Sequence, residues 1–253
     1  MTDIIMHGAS GRMGKVITQL CAQEADFRIA AGVDVFGEGD GSFPFFSSLD
    51  DCNVPADVLI DFSTATAVDG VLSYCVSRKL PLVLCTTGLS QEQIAAAERA
   101  SQQIAILRSG NMSVGVNVIL AILKEVAPKL YAAGFDIEIV EKHHNQKVDA
   151  PSGTAEAMAE EIRTAVDDSL EEVYDRTGRR ARRDRREIGV SAVRGGTIVG
   201  DHDVIFAGTD EVVTISHRAY SRAIFARGAI TAAAFLAGRA PGMYTMRDAL
   251  SGV

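Results

Sequence analysis

Ile4-Ile5-Met6-His7-Gly8-Ala9-Ser10-Gly11-Arg12-Met13-Gly14 is the stretch on which the reading of the whole chain turns. Ile4-Ile5-Met6 is a short apolar run, the glycines and Ser10 supply turn residues, and Val16, Ile17, Leu20 and Cys21 then recur at helical spacing. The order is strand, glycine turn, helix. Glycine lets a backbone approach a pyrophosphate closely, and a helix N-terminus offers N–H donors with a partial positive charge, so phosphate would be held here. Ser10 occupies the middle position of the usual G-x-G-x-x-G pattern, which makes the turn alone a weak signal. Asp34 strengthens it, because it closes the next apolar run, Phe27 to Val33, about 20 residues past Gly14, where a carboxylate meets ribose hydroxyls.

Working outward, Val58-Leu59-Ile60, Leu82-Val83-Leu84 and Ile104 to Leu107 read as three more short strands, with helical candidates at 64–77 and 90–103 between them. Short apolar strands alternating with amphipathic helices predict a parallel sheet covered on both faces, hence a Rossmann-like dinucleotide-binding domain over 1–113. After Ser113 the pattern changes to a helix ending near Tyr131, a strand over 135–142, a helix from Ser152 and closely spaced β-type runs at 188–194, 203–208 and 211–217. Strands without intervening helices predict a second, α+β domain with a mixed or antiparallel sheet over 114–221. The alanine-rich helical stretch from Arg222 to Gly238 fits either domain on pattern alone.

Composition excludes other classes. The 253 residues are 47% hydrophobic and 23% charged, enough for a large core without disulfide staples. Twenty-five basic against 33 acidic residues leave a net charge of −8, which disfavours nucleic acid as the main partner. Arg176 to Arg186 contains seven arginines; it reads as a solvated loop, with a phosphate patch as the alternative and no aromatic inside it for base stacking. Cys21, Cys52, Cys75 and Cys85 are scattered without metal-ligand spacing. The absence of a basic, then apolar leader and of any membrane-length apolar run predicts a cytoplasmic protein without a membrane partner.

Three further segments carry chemistry. Cys85-Thr86-Thr87-Gly88 and Ser109-Gly110-Asn111-Met112 each follow a strand, which puts them at the ligand-binding edge of an open sheet, although such loops are also ordinary strand exits. The densest cluster is Glu141-Lys142-His143-His144-Asn145-Gln146-Lys147-Val148-Asp149-Ala150-Pro151-Ser152-Gly153-Thr154. Within it His143 is suited to exchange a proton near neutrality, Lys147 supplies a positive charge or a proton, and the N–H groups of Gly153 and Thr154 at a helix start suit a carboxylate. A metal site built from His143 and His144 is the weaker reading, since neighbours on an extended segment point to opposite faces.

These residues resemble the dihydrodipicolinate reductase family, also called the 4-hydroxy-tetrahydrodipicolinate reductases, over nearly the whole chain. The resemblance rests on the 8–14 turn, Asp61-Phe62-Ser63, Thr86-Thr87-Gly88, Asn111 to Asn117 and above all Glu141-x-His143-His144-x-x-Lys147-x-Asp149-Ala150-Pro151-Ser152-Gly153-Thr154-Ala155. It implies that His143 and Lys147 are catalytic and that His144, Ser152, Gly153 and Thr154 hold a small cyclic dicarboxylate. It implies cofactor contacts from Gly8, Ala9, Ser10, Gly11, Arg12, Met13, Asp34, Cys85, Thr86, Thr87, Ser109, Gly110, Asn111 and Met112. Cys85 stands where the family usually has glycine, and Met112 where it often has phenylalanine. The resemblance further implies reduction of 4-hydroxy-tetrahydrodipicolinate with NADH or NADPH on the diaminopimelate route to lysine. It also implies a homotetramer built on the second domain's sheet, and the return of 222–253 to the nucleotide domain. Without the resemblance, a dehydrogenase of another substrate and a catalytically silent dinucleotide sensor stay open. From Ile29 to Ser77 there is no Lys or Arg to meet a 2′-phosphate, which predicts a preference for NADH with Arg12 permitting some use of NADPH.

Overall fold

The computed structural model of the chain describes every residue except Glu38, Asp40, Asp175, Gly252 and Val253; the last two residues of the expected 222–253 return lie outside this set. In chain order the first elements are β1 (Thr2–His7), α1 (Arg12–Cys21), β2 (Phe27–Val33), β3 (Phe45–Phe46), β4 (Val58–Asp61), α2 (Val68–Arg78), β5 (Leu82–Leu84), α3 (Gln91–Ala100) and β6 (Ala105–Arg108). Then come α4 (Val114–Ala132), β7 (Asp136–His143), α5 (Gly153–Val166), β8 (Glu171–Val173), β9 (Glu187–Arg194), β10 (Gly200–Ala207) and β11 (Val212–Ala219). The chain closes with α6 (Ala223–Leu236), β12 (Gly242–Tyr244) and α7 (Met246–Leu250). Every strand and helix expected from the sequence is present, while the short β3, β8, β12 and α7 were not foreseen.

Two compact units divide these elements: residues 1–114 with 223–253, and residues 115–222. In the first, seven parallel strands run in the order β12-β6-β5-β4-β1-β2-β3, with β4 central and β1 beside it. Both faces are covered because β1 alternates: Ile4 and Met6 pack with Ile17, Ile60, Leu107, Ala229 and Ala233, while Ile5 packs with Leu59, Val71, Leu82 and Ile106. Each such fully buried aliphatic side chain contributes about 1.5–3 kcal/mol of transfer free energy. This is the doubly covered parallel sheet of a Rossmann-like domain.

In the second unit the order is β11-β10-β7-β9-β8, mixed in direction: β7 runs parallel to β9 and antiparallel to β10. Along β7 burial alternates, so Ile137, Ile139, Glu141 and His143 share the buried face with Val204 and Phe206. The arginine run is largely committed to this unit's own acids and carbonyls. Arg183 reaches Asp136 at 3.0 Å and Glu138 at 2.9 Å, Arg176 and Arg179 pair with Glu187, and Arg185 donates to the Tyr131 carbonyl at 2.6 Å. No helix among the described residues is long and apolar enough to cross a membrane.

Candidate active site

Because β1, β4, β5 and β6 are parallel, the segments that follow them gather at one edge of the first sheet. Gly8 sits at φ +81°, and a Cβ there would stand 2.6 Å from the Phe62 carbonyl oxygen; a Cβ on Gly14 would stand 2.3 Å from the Gly8 carbonyl oxygen. These two glycines are therefore required by the chain's own crossing of turn, helix and β4, before any ligand is considered. Gly11 caps α1 without a side-chain hydrogen bond, and the helix opens on the exposed Arg12 and the half-buried Met13. Gly8 and Ala9 donate their N–H groups to the Val33 carbonyl, and Ser10 donates its N–H to Asp34 Oδ2 at 3.0 Å. Turn, helix start and acid thus form one unit that fits a dinucleotide. Beside it, Ser10, Lys15, Gly37 and Phe45 line a cavity of about 640 Å³, which makes Lys15 a second nearby cation that the sequence reading did not name.

Asp61, fully buried at the end of β4, ties the next segments together. Its carboxylate accepts from Thr86 Oγ1 at 2.6 Å, lies 2.7 Å from His7 Nδ1, and accepts the Ser63 N–H at 3.3 Å. Thr87 is exposed at the same edge, whereas Cys85 is buried and its thiol is pushed far up by burial and by the Asp61 charge, which leaves it unreactive. Ser109 Oγ donates to the Asn111 carbonyl at 3.0 Å, the Asn111 side chain accepts the Ser113 N–H at 2.8 Å, and Gly110 is exposed. Met112 packs into the core, with its carbonyl so close to Gly228 of α6 that a Cβ there would stand 1.6 Å away. Its side chain is a packing residue.

In the second unit the register of β7 builds a polar cluster. Glu141 is paired with His202 of β10, and His143 with Arg194 of β9. Glu141 is 0% exposed, and four donors fill its carboxylate: Arg194 Nη2 at 2.6 Å and the Ser152 N–H at 3.0 Å on Oε1, Arg194 Nη1 at 2.8 Å and His143 Nδ1 at 2.6 Å on Oε2. Burial opposes its ionisation, but the Arg194 and His143 hydrogen bonds and charges outweigh this and hold Glu141 below the usual carboxylate range. An ionised carboxylate only accepts, so Nδ1 of His143 carries the proton it donates, and Nε2 is the ring nitrogen without a partner among the described residues. That nitrogen faces Gly200, where a Cβ would stand 3.0 Å away.

Ser152 caps α5: its hydroxyl accepts the Ala155 N–H at 3.2 Å and lies 2.9 Å from His202 Nε2. His202 meets His143 edge-on at 5.1 Å between ring centroids, and burial, then the neighbouring His143, pushes it down to about 4. Gly153 and Thr154 open α5, and a Cβ on Gly153 would meet nothing within 4 Å. His144 leaves the strand with a buried Nδ1 that has no partner among the described residues. Lys147 pairs with Asp149 at 2.7 Å, and its N–H donates to the His144 carbonyl. Sequence reading placed His143, Ser152 and Lys147 together through their nearness in the chain. It missed Arg194 and His202, which only strand register brings to Glu141. Among the described residues no group of His, Cys, Asp and Glu is arranged to hold a metal ion.

A parallel sheet with a glycine turn and ribose acid, and a second unit carrying a carboxylate-held histidine beside a helix start, define a dinucleotide-dependent oxidoreductase. Two family profiles match the chain: "Dihydrodipicolinate reductase, N-terminus" over residues 2–112 and "Dihydrodipicolinate reductase, C-terminus" over residues 115–250. The chain belongs to the dihydrodipicolinate reductase family. It is 48% identical over 246 residues to the 4-hydroxy-tetrahydrodipicolinate reductase of Clostridium tetani, covering 97% of this chain and 96% of that one. It is 50% identical over 248 residues to that of Caldanaerobacter subterraneus subsp. tengcongensis, covering 98% of each. Among solved structures, the dipicolinate-bound dihydrodipicolinate reductase from Paenisporosarcina sp. TG-14 shares the fold at a TM-score of 0.79 with 22% identity, covering 97% of both chains.

Proposed function

We propose that this chain reduces 4-hydroxy-tetrahydrodipicolinate to tetrahydrodipicolinate in the cytoplasm, on the route through diaminopimelate to lysine. The observation that carries the reading is His143, held by Glu141 at Nδ1 and left without a partner at Nε2, in a segment that runs through Lys147 to the start of α5. A nicotinamide dinucleotide, when bound, supplies the hydride. The turn Gly8 to Met13, Asp34, Thr86, Thr87 and the 109–112 segment would hold it, with backbone contacts from Cys85 and Met112, and NADH is preferred over NADPH. The 4-hydroxy substrate loses water, a hydride adds to the ring carbon of the resulting conjugated double bond, and His143, having taken a solvent proton on Nε2 to become an imidazolium held by Glu141 at Nδ1, delivers that proton to the neighbouring carbon. Lys147 leaves Asp149 to neutralise and protonate during this sequence. Gly153 and Thr154, with His144 and Ser152, bind a ring carboxylate at the helix N-terminus.

The open face of the second sheet supports assembly into a homotetramer, because Val193 and Val212 are exposed there, Val212 at 62%. Loss of nicotinamide absorbance on mixing enzyme and NADH with the product of pyruvate–aspartate semialdehyde condensation tests the activity. No oxidation with that substrate, set against oxidation with other hydroxy or imino acids, would overturn it.

A further inference from the structure

We propose that Glu141 is a positioning residue that fixes the tautomer of His143 and locks that ring to the first turn of α5. The argument starts from its saturation: all four lone-pair directions of a carboxylate buried to 0% exposure are taken by named donors. Oε1 accepts the Ser152 N–H and Oε2 accepts from His143, so one rigid group spaces the proton-carrying ring from the helix end. The two ends could otherwise move separately, since 143 and 152 are joined by a loop whose Val148 is almost fully exposed. Arg194 clamps the carboxylate from the far side and also donates to the Asp149 carbonyl at 2.7 Å, which binds the intervening loop to the same point. A neutral imidazole has one N–H, and placing it on Nδ1 leaves the Nε2 lone pair on the reacting side to take up the proton that the resulting imidazolium delivers. A carboxylate that orients a general acid or base in this way acts through the ring and never touches the substrate.

This inference rests on the reading of His143 as the proton donor, and the experiment separates the two. In ¹⁵N-histidine-labelled wild-type enzyme at high pH, the His143 ring should show the Nδ1–H tautomer; an Nε2–H tautomer overturns the proposal without any variant. Glu141→Gln should lower kcat by about 10-fold or more, the usual worth of an orienting partner. It should also shift the pH profile of kcat/KM, because the negative charge beside the reacting ring is lost. The KM for NADH should be unchanged. A Glu141→Gln enzyme with a superimposable pH profile and full turnover overturns the positioning role. Should that variant fail to fold, Glu141→Asp takes its place, keeping the charge but shortening the reach, with a fall in kcat and an unmoved pH profile expected. If His143→Gln retains turnover while the labelled wild-type ring shows Nδ1–H, the proton-donor reading fails and the tautomer assignment stands.

Discussion

The carboxylate of Asp34 accepts the Ser10 N–H on one oxygen and the Phe36 N–H on the other, each at 3.0 Å, so the acid at the end of β2 is fastened to the glycine turn itself. A 2′-phosphate would be brought against this fixed negative charge. Arg12 and Lys15 are the nearby cations that moderate the repulsion. We expect kcat/KM for NADH to exceed that for NADPH by about 5–150-fold, the equivalent of roughly 1–3 kcal/mol. Initial rates with each cofactor at matched low salt decide it, and a preference for NADPH would assign the choice to Arg12 or Lys15.

His143→Gln should lower kcat by about 10²–10⁴, the usual worth of a positioned acid or base. Dinucleotide affinity should stay at the wild-type value, since the glycine turn lies in the other unit. Near-full turnover in this variant would pass the proton role to His144 or Lys147.

Gly153→Val should fold normally, because nothing within 4 Å receives its Cβ, yet it should lose binding of dipicolinate by blocking approach to the helix start. Thr154→Ser should bind nearly as well as wild type. Titration of both variants with dipicolinate tests whether recognition runs through the backbone; equal weakening in the two would show that it does not.

Acid should destabilise the second unit as the pH falls below about 6.5. His202 is held to about 4 in the folded chain against about 6.5 when unfolded, so between these values the unfolded state takes up a proton that the folded state refuses. Its contribution is fully present above pH 6.5 and falls by up to about 3 kcal/mol as the pH drops toward 4. His217, also pushed down by burial, adds in the same direction. Denaturant unfolding of wild type and His202→Asn across this range should show a shallower pH dependence in the variant. Parallel curves would mean that the ring is protonated in the native state.

Much of this was legible in the sequence because the signals were local. Ile4 to Gly14 shows strand, turn and helix within one short run, and Gly153 follows its capping Ser152 directly. What was not legible depends on strands distant in sequence. Arg194 and His202 meet Glu141 only through the registers of β9 and β10, and neither lies in a segment whose own pattern points to chemistry. Gly8 and Gly14 looked like phosphate glycines, and the chain's own packing demands them as well. Met112 looked like a cofactor contact by its place after β6, and α6, which arrives more than a hundred residues later, covers its side chain. The two-residue β3 and three-residue β8 and β12 are too short to show a period.

The unit formed by residues 1–114 takes its seventh strand and a covering helix from residues 223–253: β12 pairs with β6, and α6 packs against α1. During synthesis, which runs from the N-terminus, all five strands of the second sheet leave the ribosome before either of those pieces exists. The part of the protein encoded first is therefore the last to be finished, and until then β6 is an open sheet edge and the apolar face awaiting α6 is bare. A nascent chain stalled near residue 222 would hold a complete second unit beside a sticky, unfinished first one, the natural client of a chaperone that shields β edges and apolar surface.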